Sequence, residues 1–233
     1  MIFNELTYQK CCKTNIVPIS NTLPKINIKN YNFFKLDNGL KIILIENNKF
    51  PIIRIGLYFD IEPIQENKIG IKHIIKNMLI AGSENYTKEK LYSTLEYFGS
   101  NINISSSNIE MSILSKNIEI SIKILSDIII NPNLNSINEL NNSIKKYLIF
   151  LKSKNKDIDY LISKIKNKLF YGINHPYGQI ISEESLQNIT LNDIKTFYNT
   201  YYKPNIAYLT FIGNFSIEKI KNLVKKYFSY WKK

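Results

Sequence analysis

Arginine is almost missing from this chain. Of its 31 basic residues only Arg54 is an arginine, against 19 acidic residues and a formal net charge of +12. Phosphate clamping and bidentate base recognition favour the planar guanidinium. The lysines are spread through every helical segment and form no single block, so the composition argues against a nucleic-acid partner. The excess charge reads as a solvated lysine-rich exterior. Cysteine is equally scarce. Cys11 and Cys12 are adjacent, too few and too close for a disulfide framework or a zinc knuckle. No apolar run approaches the roughly 18 residues of a membrane span. The N-terminal MIFNELTYQKCCKTNIVPIS lacks an apolar core followed by a small-residue cleavage site. A cytoplasmic location is therefore favoured, with the periplasm or an organelle left open. The eight glycines are scattered and form no phosphate-binding loop.

What is present is enough for a folded chain: 44% of residues are hydrophobic and 12% aromatic over 233 positions. Residues 1–30 carry Pro18 and Pro24 without sustained periodicity and read as an irregular N-terminal arm. From residue 31 to 233 no low-complexity linker interrupts the pattern, which is expected to form a single α+β domain. YNFFKLDNGLKIILIEN places two apolar runs around Asp37-Asn38-Gly39, the strongest short hairpin signal, because Asn and Gly both tolerate positive φ. PIIRIGLYFD gives a third strand.

The spacing then predicts helices over 69–81, over 88–98 with Thr87 as cap, and over 118–130. Strands fit 101–106 and 109–116. Ser136-Ile137-Asn138-Glu139 is a capping-box pattern opening a helix to about Ser153. Asp157 caps another helix through Phe170, HPYG (175–178) makes a tight turn, and Thr190 caps 191–202. IAYLTFIGN is a final strand, followed by a helix capped by Ser216. Glu183 and Glu184 read as an exposed loop.

Chemistry-bearing groups are few. GIKHIIKN (70–77) sets His73 and Asn77 four apart on one helix, with Lys76 just before the second. Two histidines at that spacing, with a glutamate before the second, bind zinc and activate water. Here only the first histidine is present. A lone histidine beside an apolar stripe reads first as a hydrogen-bonded boundary residue. Asp157 and Asp159 read as helix-start capping before paired acid–base chemistry. Ser105-Ser106-Ser107 lack a basic partner, and a thiol dyad of Cys11 or Cys12 with His73 is the weakest candidate.

Taken in order, LDNGLKIILIEN, PIIRIGLYFD, the G-x-x-H helix, AGSENYT, the Asn131-Pro132 turn, HPYG, ITLNDIKTFYNTYYKPNIAYLTFIGN and a final tryptophan resemble the N-terminal half of the insulinase/pitrilysin family. The likeness covers roughly 31–232. It implies a mostly antiparallel sheet with helices packed on it, the LuxS/processing-peptidase-like metallohydrolase fold, as one half-unit of a two-half clamshell. Active members bind zinc through H-x-x-E-H and a glutamate on a later helix. The resemblance puts His73 at the first ligand, Lys76 at the base and Asn77 at the second ligand. The third falls near Leu151-Lys152-Ser153, and no glutamate occurs between Leu140 and Ser182. An amide replaces imidazole poorly at zinc, and one histidine cannot hold the ion. The expectation is therefore no catalytic residue, no metal and no cofactor.

The overall pattern is most similar to the non-catalytic subunit of bacterial two-subunit members. This implies an active zinc peptidase homologue or second half-unit as partner, in a hetero- or homo-oligomer. It also implies a peptide cradled along the edge strand Asn101, Ile102, Asn103, Ile104 and Ser105. A purely structural scaffold, a residual zinc endopeptidase and a lysine-rich binder of anionic surfaces are the alternatives.

Overall fold

The computed structural model describes residues 30–61, 66–105 and 107–233. The expected N-terminal arm, with Cys11 and Cys12, lies outside the described residues, except for its last residue, and so does Ser106.

Three strands open the described chain: β1 (Asn32–Lys35), β2 (Lys41–Glu46) and β3 (Ile52–Phe59). Two helices follow, α1 (Ile71–Leu79) and α2 (Lys88–Tyr97), then β4 (Asn101–Ile104) and β5 (Asn108–Leu114). The helices α3 (Ile118–Ile130), α4 (Ile137–Lys154), α5 (Ile158–Tyr171), α6 (Glu183–Gln187) and α7 (Leu191–Tyr201) precede β6 (Ala207–Gly213) and α8 (Ile217–Phe228). The six strands form one sheet in the order β1-β2-β6-β3-β5-β4. Only β2 and β6 run parallel; every other neighbouring pair is antiparallel. The fold is a mostly antiparallel α+β half-unit, as the resemblance implies.

Alternation assigns the two sheet faces. Ile53, Ile55, Leu57 and Phe59 of β3, with Ile109, Met111 and Ile113 of β5 and Leu209 and Phe211 of β6, point into the core. There they join one cluster with Ile74, Ile75, Met78 and Leu79 of α1, Ile122, Leu125 and Ile129 of α3 and Val224 and Phe228 of α8. The opposite face carries Arg54, Tyr58, Glu110 and Ile212 and is exposed.

Several local expectations change in detail. The β1–β2 connection pairs Lys35 with Lys41, so the loop spans Leu36 to Leu40 and is not a two-residue turn. Only Gly39 takes positive φ (93°); no non-glycine residue does so among the described residues. Asn38 acts through its side chain instead: Oδ1 accepts from Leu40 N–H (3.2 Å), and Nδ2 donates to the carbonyls of Phe228 (2.7 Å) and Trp231 (3.0 Å). That amide ties the first loop to the end of α8. Glu183 and Glu184 are not in a loop: they form the first turn of α6, which Ser182 and Ser185 close with reciprocal bonds. Ser136 accepts from Glu139 N–H (3.2 Å), but the Glu139 carboxylate turns to Lys88 (3.2 Å) and does not complete the box. Ser216 precedes α8 without a side-chain capping bond, whereas Thr190 and Asp193 complete a full capping box on α7.

Asp127, near the end of α3, is 7% exposed and gathers a polar hub. Its Oδ2 accepts from Ser83 Oγ, and its Oδ1 accepts from Asn85 Nδ2 (2.6 Å) and Asn131 Nδ2 (3.2 Å). Single bridges join Gly82 to Thr87 and Ser83 to Pro132. AGSENYT and the Asn131-Pro132 turn, separate in the sequence, are thus one structural unit.

Candidate functional site

α1 begins at Gly70, whose φ of 99° favours glycine, and a Cβ there would lie 2.7 Å from the Leu186 side chain of α6. The Gly70 N–H donates to Glu66 Oε2 (2.7 Å), and Lys72 pairs with Glu66 Oε1 (3.6 Å). Burial raises the Glu66 carboxyl above its ordinary value; the Gly70 N–H and Lys72 offset only part of this. Gln179, immediately after HPYG, clasps the Glu66 backbone in both directions, its Oε1 accepting from Glu66 N–H (2.9 Å) and its Nε2 donating to Glu66 O (3.0 Å). The start of α1 is therefore fastened to the HPYG turn. Sequence reasoning missed Glu66; its position four residues before Gly70 was the available signal.

His73 lies half-buried on α1 and packs toward α4. Its ring stacks on Tyr147, with centroids 4.7 Å apart and planes inclined by 20°. Tyr147 in turn meets Phe150 at 5.4 Å. Burial, followed by the charges of Lys76 and Lys72, pushes the imidazole down to about 4, so it is neutral at physiological pH. Burial likewise raises the Tyr147 phenol far above its ordinary value. Lys76 and Asn77 are half-buried on the same helix. Lys76 belongs to none of the ion pairs among the described residues.

On α4, Leu151 is buried and Lys152 and Ser153 are exposed. The residue that α4 presents to His73 is Tyr147, one turn earlier. His175 is engaged elsewhere: it stacks on Tyr171 at 5.0 Å, and its Nδ1 accepts from Tyr177 N–H (3.2 Å). Among the described residues no three His, Cys, Asp or Glu side chains converge. The donor set beside His73 is an ammonium, an amide and a phenol, which does not fit zinc.

The strand β4 sits at the sheet edge, paired only with β5. Asn101 and Asn103 are exposed, and Ile102 and Ile104 are half-buried. Ser105 serves the turn into β5: its N–H donates to Asn108 O (2.8 Å), and its Oγ bonds Asn108 Oδ1 and accepts from Asn108 N–H (3.1 Å). Its hydroxyl partners an amide oxygen, which cannot serve as a general base. Asp157 caps α5 through Asp159 and Tyr160 N–H, and it pairs with Lys154 at 3.0 Å. Beside β4 the open sheet face holds a trough of about 450 Å³ lined by Arg54, Gly56, Tyr58, Asn101, Asn103 and Glu110. Gly56 makes room for it: a Cβ there would lie 2.4 Å from the Tyr58 ring. Tyr58 OH donates to Glu110 Oε1 (3.3 Å). This trough was also missed; the one arginine of the chain marked it.

The sequence pattern described as Insulinase (Peptidase family M16) matches residues 41–164, more than half of the chain. The chain belongs to the M16 family. A second M16 pattern, the Peptidase M16 inactive domain, matches residues 188–233. Among M16 relatives, the zinc protease PqqE of Helicobacter pylori is 24% identical over 203 residues, 83% of this chain and 45% of PqqE. The uncharacterized zinc protease YmxG of Bacillus subtilis is 23% identical over 84% of this chain and 50% of YmxG. In solved structures, an M16 inactive domain from Pseudomonas fluorescens superposes with a TM-score of 0.77 at 19% identity, covering 84% of this chain and 50% of that one. The first half of the periplasmic protease PqqL from Escherichia coli gives 0.75 at 16% identity, covering 87% and 46%. The chain spans about half the length of these relatives. Among the described residues, no helix is long and apolar enough to cross a membrane.

Proposed function

We propose that this chain is a non-catalytic M16 subunit that pairs with an active, H-x-x-E-H-bearing homologue or second half-unit and helps to cradle its peptide substrate. The observation that carries this reading is the ring of Tyr147 against His73, where a zinc site needs further ligands. With Lys76 at the base position and Asn77 at the second ligand, the site has the shape of a packed helix contact and lacks the donors for hydrolysis. The match to the M16 inactive domain over 188–233 supports the same reading.

The cradling role rests on the edge strand Asn101–Ile104 and the trough beside it. An extended peptide added to that edge bonds through its backbone, while Arg54, Glu110, Asn101 and Asn103 face its side chains. The test is reconstitution with an M16 homologue from the same genome that carries an intact motif. The chain alone should leave peptides uncut, and adding it should increase cleavage by the homologue. Chelator-sensitive cleavage by the chain alone, abolished by His73→Ala, would overturn the proposal.

A further inference from the structure

α5 has its apolar side turned outward. None of its residues is buried. Ile158, Ile162, Ile165 and Leu169 are exposed by 71, 57, 56 and 79% respectively, whereas Tyr160, Leu161, Lys164 and Asn167 are half-buried. At 100° per residue the first four form one narrow stripe, Tyr160, Lys164 and Asn167 lie on the other side of the helix, and Leu161 flanks the stripe. Their spacing, four-three-four, is that of a helix-pairing seam. An amphipathic surface helix normally presents such a stripe to its own core.

The charges beside the stripe select an occupant. Asp159 flanks it near the N-terminal end, and Lys166, seven residues later, flanks the same side near the C-terminal end. An antiparallel copy of α5 brings Asp159 of each helix beside Lys166 of the other. It also sets Ile158 against Leu169 and Ile162 against Ile165, and opposes the two helix dipoles. A parallel arrangement would put Asp159 and Lys166 on opposite flanks of the seam and leave them unpaired with each other. Lys166 and Lys168 also rim the stripe and would suit an anionic bilayer, whereas only a second copy of α5 also gives Asp159 a partner.

We propose that α5 is a self-docking helix through which two copies of this chain form a two-fold symmetric, antiparallel pair. The proposal does not rest on pairing with an active homologue, so either can fail without the other. The experiment is sedimentation of the full chain over a wide concentration range. A concentration-dependent dimer is expected. Ile162→Glu with Ile165→Glu should raise its dissociation constant roughly tenfold or more, because each glutamate places a charge in the seam. Both positions are exposed, and an unchanged far-ultraviolet circular dichroism spectrum shows that the variant still folds. Asp159→Lys and Lys166→Asp should each weaken the dimer, and the two together should restore it. A chain that stays monomeric throughout overturns the proposal, as does a dimer indifferent to the isoleucine changes. Failure of the double charge swap to restore association overturns the antiparallel arrangement. A monomer that binds anionic vesicles through α5 assigns the stripe to a membrane surface instead.

Discussion

His73 and Tyr147 lie ring against ring, 4.7 Å apart, across the contact between α1 and α4. That stack occupies the place where the family resemblance requires a metal. It turns a degenerate motif into a specific packing contact with consequences for zinc, for pH and for stability.

The first consequence concerns zinc. Lys76→Glu with Asn77→His restores two histidines four apart on one helix, a spacing that binds the ion. Isothermal titration should detect zinc binding to this variant and none to the parent chain. Adding Tyr147→Glu supplies a carboxylate facing His73 and should tighten binding roughly tenfold or more. If the triple variant bound no better than the double, α4 would not present residue 147 to the site.

The second concerns pH. The folded-state value of His73, about 4, lies below the ordinary 6.5. Between those values the unfolded chain takes up a proton that the folded chain refuses. With respect to this group, stability is complete above pH 6.5 and falls as the pH drops toward 4, by about 2–3 kcal/mol for a partly exposed ring. Urea unfolding of the parent and of His73→Phe, which keeps the stack without the titrating group, should diverge in that window. Parallel pH profiles would contradict the assignment. Glu66, raised by burial, contributes with the opposite sign in both proteins and cancels in the comparison.

The polar hub at Asp127 should be expensive to disrupt. Asp127→Ala leaves Ser83, Asn85 and Asn131 without their common acceptor and should cost about 2–4 kcal/mol in denaturant unfolding. Asp127→Asn keeps part of the network and should cost less.

Asn38 fastens the first loop to the end of α8. Asn38→Ala should lose about 1–2 kcal/mol by freeing the carbonyls of Phe228 and Trp231. Asn38→Asp, which keeps the acceptor to Leu40 but removes both donors, should lose at least as much.

Much of this was legible in the sequence, and the exceptions have physical reasons. α3 spans Ile118–Ile130 as its apolar periodicity and the following Pro132 dictate, because core burial and a helix breaker act together there. That Lys76 and Asn77 stand where H-x-x-E-H has glutamate and histidine is read from the motif alone. By contrast α6 escaped notice because five residues are too short for a period to show. The loop at Asn38 was misjudged because the asparagine amide found carbonyls some 190 positions away, which no local turn rule contains. Tyr147 was invisible as the partner of His73 for the same reason: the contact depends on how α1 and α4 are rotated against each other. The trough beside β4 depends on Gly56 lying opposite Thr210 in the register of β3 and β6.

The placement of β6 between β2 and β3 governs how the protein is made. Lys41 pairs with Tyr208, 167 positions later, so the middle of the sheet stays open until almost all of the described chain has been synthesised. Until then a nascent chain exposes two facing strand edges, β2 and β3, each able to recruit a foreign strand. Such long-range closure slows folding toward the millisecond-to-second range. A truncation before Ala207 should therefore yield aggregates and not a smaller folded unit.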